Sequence, residues 1–307
     1  MSRIHEALKQ ASKGKEPAPL AETTTPPAAV TPAIGGAGGS EWLDLNLMPA
    51  SNQRPVTPSL SFSNGLDELL RNCAKRTWKF DPAYSVFTGK APSAECSEQF
   101  RKLRSKLCQI QASEPLRSLL VTSTLPAEGK TFVALNLALA ITRQHGRRVL
   151  LIDGDLRAPK LASCLGVPAS PGLTEFLCGA ADETSIIQTD TEGALFFIPG
   201  GHMIVNPTEM LATERLQWLL SRTAPLFDWV IVDTPPVLPV SDAGILAAHC
   251  DGVVLVVRAG TTAYDTAGAA LEELRGKKLL GVVLNRVETR DRYEAYPYYA
   301  EKSTELA

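Results

Sequence analysis

Six short apolar runs, rich in Val, Ile and Leu, alternate with segments of helical periodicity between about residue 93 and residue 287. Several of these runs are continuous rather than alternating, which is typical of parallel strands covered by helices on both faces. The pattern predicts a doubly wound α/β fold that binds ligands at the carboxyl ends of its strands. The predicted strands are Ser118–Ser123, Arg148–Ile152, Leu195–Ile198, Trp229–Val232, Val253–Val257 and Leu279–Leu284.

The chain outside this regular region has a different composition. Apolar residues recur at helical spacing in residues 1–13, which predicts a short amphipathic helix that either docks on a partner or frays. Residues 14–58 are rich in Pro, Ala and Gly and are predicted to form a flexible linker. The secondary structure of residues 59–92 stays undecided. The main domain is predicted to span residues 93–288, followed by a tail over residues 289–307.

The overall composition excludes several classes of protein. A formal net charge of −2 and a pI near 6.1 provide no global attraction for nucleic acid. No apolar run approaches the roughly 18 to 20 residues of a membrane span, and the first residues do not form a secretion signal, so we expect a cytoplasmic protein. The six cysteines lack paired spacing, which favours reduced thiols over a disulfide framework or a zinc site.

The loop between the first predicted strand and the following helix ends in Gly-Lys-Thr. In a P-loop, backbone N–H groups surround a phosphate, the lysine reaches the terminal phosphates, and the hydroxyl holds Mg²⁺. Lys130 and Thr131 are predicted to have these roles, although the strict motif requires Gly where this chain has Thr124. The residues of this loop predicted to bind the nucleotide are Pro126, Ala127, Glu128, Gly129, Lys130, Thr131 and Phe132.

Carboxylates follow two more of the predicted strands. Asp153 and Asp155 come after the second strand, and Asp233 ends the fourth, as in a Walker B motif. An aspartate after a strand is also common as a helix cap or a turn residue. All three, however, would lie at the sheet edge where the Gly-Lys-Thr loop opens, so together they favour a nucleotide site with a bound cation.

Together these motifs resemble the bacterial tyrosine kinases of capsule and exopolysaccharide systems, which carry Walker A, A′ and B motifs in this order. The resemblance covers roughly residues 90–300 and is most specific in Asp153–Pro159, an Asp-x-Asp-x-Arg-x-Pro element. It implies that residues 93–288 form a P-loop kinase domain of the partition and division ATPase class, with ATP and Mg²⁺ as cofactors. The residues it implies in catalysis are Lys130, Asp153, Asp155 and Asp233, and those implied in holding Mg²⁺ are Thr131, Asp155 and Asp233.

Asp153 is the candidate base for the acceptor hydroxyl, with Asp155 as the alternative. Two loop positions depart from related patterns. Partition and division-site ATPases usually carry a signature lysine where this chain has Leu125, which favours the kinases. Kinase loops commonly have Gly where this chain has Ala127, whose β-carbon restricts φ. Either the loop adopts αR or β angles at Ala127, or phosphate binding is impaired.

A second element similar to the kinases lies upstream, in a Glu-x-x-Arg-x-x-Arg motif formed by Glu98, Arg101 and Arg104. In the family this motif mediates subunit contacts, so the resemblance implies an interface. The pattern alone favours a solvated helix flank with intrahelical ion pairs. Near the other end of the domain, Asn285 and Arg286 follow the last strand, and the family's asparagine at this point contacts adenine.

Four of the six tyrosines fall within the last 15 residues, among charged residues that make burial unfavourable. They are Tyr293, Tyr296, Tyr298 and Tyr299. The resemblance implies that they are autophosphorylated, whereas a tail that docks its aromatic rings on a partner is the alternative.

The sequence therefore predicts an ATP-dependent tyrosine autokinase that regulates polysaccharide synthesis or export. The resemblance implies activation by a membrane chain-length regulator that recruits the protein to the membrane, a homo-oligomer such as a ring, and a cognate tyrosine phosphatase. No nucleic-acid partner is expected. The alternatives are a nucleotide-switch ATPase of the partition or division type, and a degenerate scaffold that binds ATP without transferring phosphate.

Overall fold

The computed structural model describes residues 71–88, 94–191 and 193–287. The predicted N-terminal helix, the linker and the four tail tyrosines lie outside these residues. The helices in the described ranges include none that is long and apolar enough to cross a membrane.

The described residues form one sheet in which parallel strands predominate. Its order is β1-β4-β5-β3-β6-β2-β7-β8, and only the β4–β5 pair is antiparallel. The strands are β1 (Ala74–Lys75), β2 (Ser118–Ser123), β3 (Val149–Asp153), β4 (Gln188–Thr189), β5 (Leu195–Ile198), β6 (Trp229–Asp233), β7 (Gly252–Arg258) and β8 (Leu279–Asn285). The six predicted strands are confirmed to within one residue at each end. The two-residue strands β1 and β4 were missed because they are too short to show a pattern.

Helices cover both faces of this sheet. They are α1 (Ala94–Ser113), α2 (Lys130–Thr142), α3 (Leu161–Leu165), α4 (Leu173–Leu177), α5 (Glu183–Ile186), α6 (Pro207–Leu211), α7 (Glu214–Thr223), α8 (Asp242–Ala247) and α9 (Tyr264–Glu273), with a 3-10 turn at Ala224–Leu226. Successive residues of one strand belong to different apolar clusters, as Leu119 and Leu120 do in β2. Since both clusters are buried, the continuous apolar runs are explained, and the doubly wound α/β fold is confirmed.

The described part of the undecided segment is packed against the domain. Strand β1 extends the sheet through β4, and the ring of Trp78 meets Phe197 edge-on at 6.3 Å between centroids. Farther along, the Asn136 side chain of α2 binds the backbone of Tyr84 and Val86. Residues 71–88 therefore share the core of the main domain.

Candidate nucleotide-binding site

Three central strands bring the predicted site residues together. Strand β6 lies between β3 and β2, and Asp153 pairs in register with Asp233, which also pairs with Val121. The loop after β2 therefore starts beside both carboxylates, and α2 begins directly after it at Lys130. The parallel pairing explains this convergence, because the carboxyl ends of parallel strands lie at one edge of the sheet.

Lys130 occupies the centre of the site. Its Nζ lies 2.7 Å from Asp155 Oδ2 and 3.9 Å from Asp233 Oδ1, and 12% of its side chain is exposed. Burial by itself would lower the pKa of Lys130, but the charges of Asp233 and Asp155 outweigh it and raise the pKa. The ammonium group therefore stays charged at neutral pH and is available to a phosphate.

The carboxylates differ in how their oxygens are satisfied. Asp153 is fully buried and accepts backbone N–H groups from Asp155 at 3.3 Å, Lys160 at 3.0 Å and Leu161 at 2.9 Å. Neither carboxylate oxygen of Asp233 has a hydrogen-bond partner, although this residue is only 1% exposed. Burial raises the pKa of Asp153 to about 8, with a further contribution from the Asp233 charge, and raises that of Asp233 to about 6 against the effect of Lys130.

These groups fit a divalent cation that is shared with a phosphate. Two carboxylates lie within 4 Å of Lys130, and the oxygens of Asp233, which lack hydrogen bonds, are hard donors of the kind that Mg²⁺ prefers. Within the described ranges no group of three or more His, Cys, Asp or Glu side chains is arranged to hold a metal by itself. That agrees with Mg²⁺, which usually takes one or two carboxylates and completes its shell with phosphate and water.

The loop backbone corrects one expectation. Ala127 has φ 64°, which is left-handed, so the first of the two alternatives for this residue, αR or β angles, is excluded. Gly129 is also left-handed at φ 96°, and a β-carbon there would lie 2.1 Å from Asn285 Nδ2. Asn285 donates from this atom to the carbonyl oxygen of Glu128 at 2.8 Å, and Arg286 follows with φ 57°. The end of β8 therefore contacts the phosphate loop directly.

The upstream motif makes its described contacts within the chain. Arg101 pairs with Glu98 at 3.1 Å, and about half of each side chain is exposed. Arg104 instead donates to the carbonyl oxygen of Ala140 at 2.7 Å and ties α1 to α2. The pair of Glu98 and Arg101 matches the solvated-flank interpretation, whereas Arg104 does not, and the interface stays a prediction.

Two side-chain contacts at this edge were missed by the sequence analysis. Arg157 donates from Nε to Asp242 Oδ2 at 2.7 Å and from Nη2 to Thr208 at 2.8 Å, linking the loop after β3 to α6 and α8. The carboxylate of Glu128 binds Thr262 in the loop after β7. Arg157 belongs to the Asp-x-Asp-x-Arg-x-Pro element, but its partners lie 51 and 85 residues away, where no spacing rule reaches.

Several known proteins to which this chain is similar are named tyrosine kinases. The profile of the CobQ/CobB/MinD/ParA nucleotide binding domain matches residues 119–304, more than half of the chain. Tyrosine-protein kinase YwqD of Bacillus subtilis is 35% identical over 220 residues, which cover 71% of this chain and 92% of that protein. The succinoglycan biosynthesis transport protein ExoP of Rhizobium meliloti is 34% identical over 206 residues, which cover 66% of this chain but 26% of that protein.

A solved structure agrees with these relatives. The kinase domain of the Escherichia coli tyrosine kinase ETK is 33% identical to this chain, with a TM-score of 0.59, and the match covers 63% of this chain and 78% of that one. The residues matched by the profile include the loop at Lys130 and the carboxylates at Asp153 and Asp233. The chain belongs to the bacterial tyrosine kinase family, within the CobQ/CobB/MinD/ParA class of nucleotide-binding domains.

Proposed function

We propose that this chain is an ATP-dependent protein tyrosine kinase that phosphorylates the tyrosines of its own C-terminal tail. The observation that carries the proposal is the position of Lys130, at the first turn of α2 and between Asp155 and Asp233. A helix N-terminus attracts phosphate, and a charged lysine beside it adds a second source of stabilisation. The family assignment gives the reaction class, and ExoP gives the link to polysaccharide production.

The roles of the residues follow from their chemistry. The backbone N–H groups of residues 126–132 and the ammonium group of Lys130 would stabilise charge on the β- and γ-phosphates of ATP. Thr131, Asp155 and Asp233 would hold Mg²⁺. When bound, Mg²⁺ neutralises charge on the phosphate oxygens. On ligand binding, Lys130 would exchange its contact with Asp155 for a phosphate oxygen, which would leave the Asp155 carboxylate free for the cation.

Asp153 is the proposed base for the acceptor tyrosine. A general base works best when its pKa lies near the working pH, and burial raises the pKa of Asp153 into that range. Asp155 is less suited to this role, because its carboxylate is proposed to hold Mg²⁺ once Lys130 contacts a phosphate oxygen.

The proposed partners are a second copy of the chain and a membrane chain-length regulator, with a cognate tyrosine phosphatase to reverse the reaction. The exposed Glu98 and Arg101 side chains would serve the contact between copies. In ExoP the homologous region is 26% of a much longer protein, which is named for succinoglycan biosynthesis and transport. That similarity supports a functional connection to export machinery. Recruitment to the inner face of the membrane would follow from that partner.

One experiment tests the proposed activity. The full chain is incubated with Mg-ATP, modified residues are mapped by mass spectrometry, and Lys130→Met is compared with Lys75→Met, a matched control at the exposed edge strand. We expect phosphate on Tyr293, Tyr296, Tyr298 or Tyr299 in the wild type and the control, and none in Lys130→Met. ADP release with an unmodified tail would instead indicate a switch ATPase, and ATP binding without turnover would indicate a scaffold.

A further inference from the structure

We propose that Glu128 is a positioning residue that fastens the phosphate loop to the loop after β7 and so holds Ala127 in its left-handed conformation. The proposal rests on ATP binding at this site, as proposed above. It assigns a function to a buried acidic side chain that neither contacts the catalytic lysine nor belongs to the group of carboxylates around it.

The contacts of Glu128 connect two segments that are far apart in sequence. Its Oε2 accepts the N–H of Leu125 at 2.9 Å, which closes the loop on itself. Its Oε1 accepts the hydroxyl of Thr262 and the more distant N–H of Arg258 at 3.5 Å. Glu128 is 2% exposed and Thr262 is 6% exposed, so water does not compete for these hydrogen bonds.

The residue beside Glu128 has a conformation that needs support. Ala127 is one of two non-glycine residues in the described ranges with positive φ, at 64°. For a residue with a β-carbon this region costs about as much as a 5- to 30-fold change in an equilibrium constant. Such strain persists only where surrounding contacts determine the conformation. Glu128 is the next residue of the chain, and its carboxylate makes such contacts with Leu125 and Thr262.

A second contact fixes the same peptide from the other side. Asn285 Nδ2 donates to the carbonyl oxygen of Glu128 and fills the space where a β-carbon of Gly129 would lie. Glu128 is thus held by its side chain through the loop after β7 and by its backbone through the end of β8. Both contacts orient the peptide groups just before Lys130, whose N–H groups would surround the phosphates.

The proposal predicts coupling between Glu128 and Ala127 in ATP affinity. Glu128→Ala removes the hydrogen bonds and lets Ala127 leave the left-handed region, so the dissociation constant for ATP rises by about 5- to 30-fold. Gly tolerates that region without a penalty, so in an Ala127→Gly background the same change should cost no more than about twofold. Glu128→Gln should lose less affinity than Glu128→Ala, because its carbonyl can accept from Leu125 while its amide donates to Thr262, and only the longer contact with Arg258 N is lost.

The experiment measures ATP affinity by calorimetry, and the KM and kcat of tail phosphorylation, in the full chain. The variants are Glu128→Ala, Glu128→Gln, Ala127→Gly and the double variant. Thr262→Val removes the hydrogen bond between Thr262 and Glu128 without changing the sequence of the phosphate loop, and it is tested alone and combined with Ala127→Gly. Exposed Thr261→Val is the matched control. We expect weaker ATP binding and a higher KM for ATP, with kcat retained at saturating ATP.

Equal losses in the wild-type and Ala127→Gly backgrounds would overturn the proposal, as would losses by Glu128→Gln as large as those by Glu128→Ala. If Glu128→Ala does not fold, the Thr262→Val pair decides the matter by the same comparison. The failure of the proposed function looks different. A wild-type chain that binds no ATP would contradict both proposals. Lys130-dependent ATP binding with additive effects at positions 127 and 128 would contradict only the positioning role of Glu128.

Discussion

Two buried polar groups lie in or beside the first two turns of helix α2, and they differ in their hydrogen bonding. In the second turn, Asn136 is fully buried and fully hydrogen-bonded: Nδ2 donates to the carbonyl oxygens of Tyr84 and Phe132, each at 2.8 Å, and Oδ1 accepts from Val86 N at 2.8 Å. At the first turn, Lys130 faces Asp233, which is equally buried but has no hydrogen bond to either oxygen.

The difference separates groups that stabilise the fold from groups that await a ligand. A buried polar group with all of its partners contributes to stability, whereas one without partners keeps its desolvation cost. Asn136 joins residues 84–86 to the domain, which is a structural role. Asp233 has Lys130 Nζ at 3.9 Å but no hydrogen bond to offset its desolvation, and a bound cation would supply a further partner.

The largest expected effect comes from Asp233→Asn. Activity should fall by about a factor of 10³, because a neutral amide cannot replace a carboxylate that holds Mg²⁺ beside a phosphate. The free protein should nevertheless gain about 1 to 3 kcal/mol in the free energy of unfolding, since a buried charge without hydrogen bonds is removed. Kinase assays and urea unfolding measure the two quantities. A loss of stability would show that Asp233 is a structural group like Asn136.

Asn136→Ala should behave in the opposite way. It leaves the backbone groups of Tyr84 and Val86 unpaired, so the free energy of unfolding should fall by about 1 to 3 kcal/mol. Residues 71–88 should also become sensitive to limited proteolysis, while ATP affinity changes by no more than about twofold. Asn206→Ala is the control, because Asn206 is exposed and its side chain makes no cap hydrogen bond. A selective loss of ATP affinity would contradict the distinction between a structural Asn136 and a ligand-binding Asp233.

The last expected effect is an unusual pH dependence of stability. The pKa values of Asp153 and Asp233 are raised in the folded state, so the folded protein binds more protons than the unfolded chain. Their contribution to stability is fully present below pH 4 and is lost as the pH rises towards 8. Urea unfolding between pH 4 and pH 8 should show this decline in wild type, less of it in Asp233→Asn, and an unaltered decline in Asn206→Ala. Stability that rises over the whole range in wild type and variant alike would contradict it.

The parts of the fold that the sequence predicted are those with a local signal. Strands β2 and β5 were predicted with their observed bounds, since a strand buried on both faces must be apolar at every position. The convergence of Lys130, Asp153, Asp155 and Asp233 was also predicted, because in a parallel sheet the strand ends meet at one edge whatever the loops do. Neither deduction needed the packing of individual side chains.

Ala127 shows where that reasoning ends. The intrinsic preference of alanine favours negative φ, yet Ala127 has φ 64° beside Glu128, which contacts Leu125 through its side chain and Asn285 through its backbone. Similarly, the pairing of Arg157 with Asp242 joins residues 85 positions apart, and nothing in the local sequence of either identifies the other. Tertiary contacts override local propensity at such positions.

By itself, the sequence determined the doubly wound sheet, the edge at which a nucleotide can bind and the charged groups that line it. These follow from burial periodicity and chain direction, which are local properties. Only the tertiary structure decided that Asp233 lacks hydrogen-bond partners, that Asn136 secures the upstream segment, and that Glu128 ties the phosphate loop to Thr262. Those depend on which side chains meet across the folded chain, and hydrogen-bond satisfaction can be judged only when both partners are in place.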